Sequence, residues 1–139
     1  MKNETQKKKV LLLGTDDSSL TLIAAAVLNR YLRSVEAYSA GINASKKVDA
    51  NTQRVLEENG LWSNDIHPKE FKNLGAMAFD LVITLSELAM QKCPDFSSTT
   101  DIIAIEYDEL EGKNYSQYKQ ALKLMQMEIT PIVRMHFEE

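Results

Sequence analysis

Cysteine is nearly absent from this chain: of 139 residues only Cys93 carries a thiol, which excludes an internal disulfide. Long apolar runs are missing as well. None approaches the roughly 18–20 residues that a membrane-spanning helix needs. The first residues, MKNETQKKK, pass straight into a strand-like run, so no secretory leader is expected. A basic excess is also lacking: 16 Lys and Arg against 20 Asp and Glu give a formal net charge of −4. Nucleic-acid binders usually carry a basic face, so no nucleic-acid partner is expected. The one basic cluster, Lys7-Lys8-Lys9, stands before an apolar strand and reads as a solvated tail or edge gatekeeper. These absences suggest a cytoplasmic protein with no membrane role, and nothing calls for a cofactor.

What is present is a composition with 44% hydrophobic and 26% charged residues, enough for one compact domain with a core. Residues 1–6 are polar and read as a disordered tail, leaving 7–139 as a single domain. Val10 to Leu13 is continuously apolar and bounded by Gly14, as in a strand covered on both faces. The next segment, GTDDSS, mixes turn formers with helix N-cap candidates. A helix is expected from Leu20 to Arg33, with Ile23, Val27 and Tyr31 on its buried stripe. Val35 to Ala40 reads as the second strand. A helix over Asp49–Asn59 follows, with Gly60 ending it. The third strand spans Leu81–Thr84, Ser86 caps a short helix that stops before Pro94, and Asp101–Ile105 forms a fourth, partly buried strand. The last helix runs over Tyr115–Phe137, where Pro131 should kink or split it.

Strands alternating with helices, joined by right-handed crossovers, predict an α/β fold: an open three-layer sandwich with a four-stranded parallel sheet. Ligands of such sheets bind beyond the carboxyl ends of the strands, where the winding reverses. That places interest on the loop after the first strand, where backbone N–H groups and a helix N-terminus can cradle an anion.

Val10–Leu32 has this strand–loop–helix layout and resembles the low-molecular-weight protein tyrosine phosphatases and their thiol arsenate reductase relatives. In that family the first strand ends in a cysteine, an arginine follows five residues later, and Ser or Thr comes next. Further segments match in order: VEAYSAGI, VDANTQRVLEENGL, His67 with Lys69, and FDLVITLSELAMQKCPDF. The resemblance covers nearly the whole chain and implies the sheet order 2-1-3-4. It also implies phosphatase or arsenate reductase chemistry in the loop Gly14, Thr15, Asp16, Asp17, Ser18, Ser19, Leu20, Thr21.

The residues that this chemistry needs are replaced. Gly14 stands where the family has its nucleophile and Leu20 where it has its arginine. Glycine has no side chain to attack phosphorus, and leucine offers neither the charge nor the fork that clamps phosphoryl oxygens. Asp16-Asp17 stands where the family usually has Gly-Asn. A dianion within about 5 Å of one carboxylate meets roughly 6 kcal/mol of repulsion at an effective dielectric of 20. The plainest reading is that Asp16, Asp17, Ser18 and Ser19 cap the helix and close the turn.

Asp108, in EYDEL, falls near the family's general acid and is the vestigial candidate for that position. Cys93 matches the last redox cysteine of the reductase branch, but Ser86 stands where its partner would be, so no disulfide relay is expected. His67 and His136 have no ligand spacing and are read as non-functional, with His136 near the end of the last helix. The leading expectation is a catalytically inactive phosphatase-like domain that acts by binding, with a protein partner. An alternative keeps divergent chemistry, with Asp16, Asp17 and Asp108 gathering around a hard cation such as Mg²⁺. An acidic pair after the first strand also occurs in receiver domains, but their phospho-accepting aspartate would fall in Thr84-Leu85-Ser86-Glu87, where there is none. A further alternative is a neutral or cationic small ligand beside Leu20. Oligomeric state is left open.

Overall fold

The computed structural model describes residues 6–137, so of the expected 1–6 tail only Gln6 falls within it. Four strands form the sheet: β1 (Lys8–Gly14), β2 (Val35–Gly41), β3 (Leu81–Thr84) and β4 (Asp101–Ala104). All pairings are parallel and the order is β2-β1-β3-β4, as the resemblance implied. Parallel strands need long crossovers, and helices supply most of them: α1 (Leu20–Tyr31), α2 (Ala50–Glu58) and α3 (Glu87–Gln91). Two further helices, α4 (Tyr115–Leu124) and α5 (Thr130–His136), close the chain.

Alternation along β1 divides the core. Val10 and Leu12 face one side, with α1, α2, α4 and α5. Leu11 and Leu13 face the other, with Ala89 of α3, Phe79 and the aromatic edges of Tyr38 and Phe96. All four side chains are fully buried, which explains a continuously apolar run rather than an alternating one.

Several local signals act as expected. Ser86 caps α3 by accepting from Ala89 N at 3.1 Å. Gly60, at φ 70°, ends α2 while Leu61 N reaches back to Leu56 O at 2.8 Å; Asp49, expected as the first residue of that helix, instead caps it. Other expectations need correction. Tyr31, placed on the buried stripe of α1, is 50% exposed, although Leu28 and Leu32 beside it are buried, and its hydroxyl accepts from Gln126 Nε2 at 3.2 Å. β4 is largely exposed rather than partly buried, being an edge strand beside a helix of five residues, and Ile102 is 51% exposed. The last helix does divide near Pro131. A π turn spans Met125–Ile129, and Thr130 N bonds Met125 O, five residues back, immediately before the proline that has no N–H to offer. His136 ends α5 and pairs with Asp101 of β4 at 3.0 Å, tying the last helix to the sheet edge.

The outer edge of β2 is closed by a side chain. Asn29 of α1 gives its amide N–H to Ala37 O at 3.1 Å and accepts from Ala37 N at 2.8 Å. Its amide thus substitutes for one residue of a fifth strand. Asn29→Ala strands both backbone groups and should lower unfolding stability by about 2 kcal/mol. A urea midpoint equal to that of the wild type would refute this role.

Candidate functional site

β1 and β3 lie side by side, while the chain runs outward from β1 to β2 and then back across to β3. The winding therefore reverses at the carboxyl end of β1, where residues 14–19 form the loop into α1. The segment after β2 wraps this loop. Ile42, Asn43, Ser45 and Asp49 donate their backbone N–H groups to the carbonyls of Gly14, Thr15, Asp16 and Ser18, at 2.8–3.2 Å. A trans peptide points its carbonyl and the next N–H in opposite directions. Binding those carbonyls from outside turns the N–H groups of residues 15, 16, 17 and 19 toward the loop's interior. Gly41 makes the close wrap feasible, since a Cβ there would lie 2.9 Å from the Asp16 carbonyl carbon.

Asp17 is the structural centre of the loop. It has φ 54°, a left-handed conformation that Asn and Asp tolerate better than most residues, and it is 1% exposed. One carboxylate oxygen accepts from Thr21 Oγ1 at 2.6 Å, and the other accepts from Lys69 N at 2.9 Å. The Lys69 ammonium lies 3.4 Å from the second oxygen. Burial raises the Asp17 pKa, with the Lys69 charge and the hydrogen bonds from Thr21 and Lys69 acting against it. Asp17 does not cap α1. Ser19 holds the N-cap position without a side-chain cap bond, so the capping expected of these residues is replaced by a link between distant segments.

Asp16 does close the turn. Its Oδ1 accepts from Ser18 N at 3.2 Å and Ser18 Oγ at 2.8 Å. Thr15 Oγ1 bonds Ser86 Oγ at 2.9 Å and lies 3.4 Å from Glu109. The hollow bounded by Gly14, Thr15, Asp16, Leu20, Ser86 and Glu109 encloses about 20 Å³, room for roughly one water molecule. Glu109 has its pKa raised by partial burial first and by Asp16 second. Leu20, the first residue of α1, packs against the larger core cluster.

The acidic residue that the β4–α4 connection brings to the hollow is Glu109. Asp108 lies outside it, along a separate depression with Leu20, Tyr107 and Gln117. Sequence matching thus selected the neighbour of the residue that faces the loop. Among the described residues no group of three His, Cys, Asp or Glu side chains is placed to hold a metal ion, so Asp16, Asp17 and Asp108 do not converge as the metal alternative requires. Cys93 is half-buried against the smaller core cluster, and burial raises its pKa, away from thiolate reactivity. His67 is exposed, with Nδ1 2.8 Å from Asp65 O. Lys69, noted in the sequence only as part of a matching segment, becomes a site residue because it brings a positive charge to within 3.4 Å of Asp17.

The family model for low molecular weight phosphotyrosine protein phosphatases matches residues 9–117. The chain belongs to that family. Solved structures agree on the fold. An arsenate reductase from Archaeoglobus fulgidus superposes with a TM-score of 0.76 at 23% identity, over 89% of this chain and 98% of that one. A low molecular weight protein tyrosine phosphatase from T. tengcongensis gives 0.74 at 18% identity, over 92% and 99%. An arginine phosphatase from Geobacillus stearothermophilus gives 0.73 at 17%, over 93% and 94%. No curated protein sequence matches the chain. Within this family framework, loop residues 14–21 contain neither a thiol nor a guanidinium. Among the described residues no helix is long and apolar enough to cross a membrane.

Proposed function

We propose that this family member has lost phosphoryl and arsenate turnover and acts in the cytoplasm by binding, with another protein as its partner. The observation that carries this reading is the state of the loop. Asp16 supplies its own carboxylate to the Ser18 N–H and hydroxyl, so an internal anion already occupies donors that a substrate anion would use. The space that is left would hold a water but not a phosphate. Gly14 provides no nucleophile and Leu20 no clamp, the two groups whose loss removes most transition-state stabilisation in such chemistry.

The test is direct. Purified wild-type protein should give no saturable hydrolysis of para-nitrophenyl phosphate and no thiol-dependent arsenate reduction above a heat-inactivated sample. Phosphate and sulfate should also leave the amide NMR signals of residues 14–19 unmoved. Saturable turnover that disappears in Thr15→Ala or Asp16→Ala would overturn the reading, because it would locate surviving chemistry in this loop.

A further inference from the structure

The sheet ends in β2 on one side, where Asn29 covers part of the edge, and in β4 on the other. Asp101 N bonds Asp80 O at 3.2 Å and Ile105 N bonds Thr84 O at 2.9 Å, so the odd-numbered residues of β4 are those paired to β3. Ile102 and Ala104 therefore turn their N–H and C=O groups outward. Among the described residues nothing hydrogen-bonds to these groups.

The side chains at this edge are as open as the backbone. Ile103, Ile105 and Tyr107 pack on the larger core cluster beneath the helices. That leaves Ile102 and Ala104 exposed on the other face, where α3 is only five residues long. Open strand edges are templates for another chain, and proteins blunt them with charge. Here the charge is acidic. Asp101, Glu106 and Asp108 lie along the edge or just beyond its end, and Glu128 stands beside it, accepting from the Tyr107 hydroxyl at 2.7 Å. Bases are fewer: His136 pairs with Asp101 at 3.0 Å, and Lys113 lines the depression that holds Glu106 and Asp108. Glu106, Asp108 and Glu128 have no ion pair among the described residues.

That charge decides between occupants. In a second copy paired antiparallel, with Ile102 opposite Ala104, Asp101 of each strand lies beside Glu106 of the other, so like charges meet at both ends. A basic strand meets the same carboxylates favourably. We propose that the β4 edge receives a basic, extended segment of a partner protein as an added antiparallel strand. This partner site rests on the proposed role of the chain as a protein binder, and gives that protein a place and a chemistry. The residues opposite Ile102 and Ala104 are apolar and exchange N–H and C=O groups with them. The residues between point to the α5 side, toward Asp101 and Glu128, and carry the positive charge.

The test is an amide NMR titration of the wild-type chain, at low ionic strength, with the peptide acetyl-Lys-Val-Lys-Val-Lys-amide. Saturable shifts are expected at Ile102, Ala104 and Glu106. The same peptide N-methylated at both valines keeps its charge but loses the N–H groups that pair with the edge, and should bind about tenfold more weakly. Acetyl-Glu-Val-Glu-Val-Glu-amide should give no saturable shifts. Ala104→Pro removes one outward N–H where an edge strand tolerates proline, and should weaken the lysine peptide about fivefold. Comparison of the three peptides on the wild type requires no variant to fold.

Absence of saturable shifts with the lysine peptide would overturn the proposal. So would equal binding of the N-methylated peptide, which would reduce the effect to charge attraction without strand pairing. Shifts confined to Asp16, Glu109 and their neighbours would also overturn it, by moving the basic segment from the β4 edge to the first loop. None of these outcomes bears on the turnover assays, so the loss of catalysis and the β4 partner site fail separately.

Discussion

Restoring a thiol and an arginine to the loop should not be enough to restore phosphatase chemistry. Gly14→Cys with Leu20→Arg replaces the missing nucleophile and clamp, but a Cβ at position 14 would lie 2.7 Å from Thr21 Cγ2. That methyl is not free to swing aside, because Thr21 Oγ1 is held by Asp17 at 2.6 Å. Thr21→Ser removes the methyl and keeps the hydroxyl, so the minimal restored chain is the triple variant. It should still be inert toward para-nitrophenyl phosphate. Asp16 and Glu109 remain at the hollow, and a dianion within about 5 Å of either meets roughly 6 kcal/mol of repulsion before screening. Adding Asp16→Gly and Glu109→Gln removes both charges and frees the Ser18 N–H. Between the triple and quintuple variants kcat/KM should rise by about 10²–10³, less than the unscreened repulsion allows because salt and water reach the hollow.

A second readout separates chemistry from binding. In a Cys93→Ser background the only thiol is that of Gly14→Cys, and its alkylation rate by iodoacetamide reports thiolate content. The nearby carboxylates should hold that thiol protonated in the triple variant, and their removal should speed alkylation at neutral pH. Equal activity and equal alkylation in the two variants would show that the acidic lip has no bearing on the loss of function. An inert quintuple variant with a reactive thiol would show that the loop N–H groups no longer form a cradle.

How far the site could be read from the sequence depended on separation along the chain. Strand positions were legible because Val10–Leu13 and Leu81–Thr84 are apolar on both faces, and turn closure by Asp16 was legible because its partner, Ser18, is two residues away. The link from Asp17 to Lys69 spans 52 residues and has no local signature. Two carboxylates in succession look alike in a sequence, yet one is on the lip and the other is buried. The backbone decides this, since position 17 alone requires φ 54°. Asp108 and Glu109 present the same problem, because one residue of offset in a connection without regular structure determines which side chain faces the hollow. Tyr31 is a further case: helical spacing puts it on the stripe of Ile23 and Val27, yet it is half exposed, and its hydroxyl meets Gln126, 95 residues away, at the surface.

Asp17 should be the loop's most sensitive residue. Asp17→Ala leaves the Thr21 hydroxyl, the Lys69 N–H and the Lys69 ammonium without their shared partner, and places alanine at a left-handed φ. The expected loss is about 3–4 kcal/mol in unfolding free energy, from unsatisfied buried donors and backbone strain together. Asp17→Asn keeps an acceptor for Thr21 and tolerates the same φ, so it should cost much less. The pair also has a pH signature. Burial raises the folded-state pKa of Asp17 above the ordinary carboxyl value, so the unfolded chain releases this proton first as pH rises. The wild type is then favoured below the unfolded value, near pH 4, and loses that advantage as pH climbs through the raised folded value. Asp17→Asn does not titrate here, and the contributions of Glu109 and the exposed carboxylates cancel between the two proteins. The stability difference should therefore shift toward the asparagine variant between a pH near the unfolded carboxyl value and neutral pH. Urea midpoints at the two pH values measure it, and a shift toward the wild type would mean that Lys69 outweighs burial and holds Asp17 as a stable ion pair.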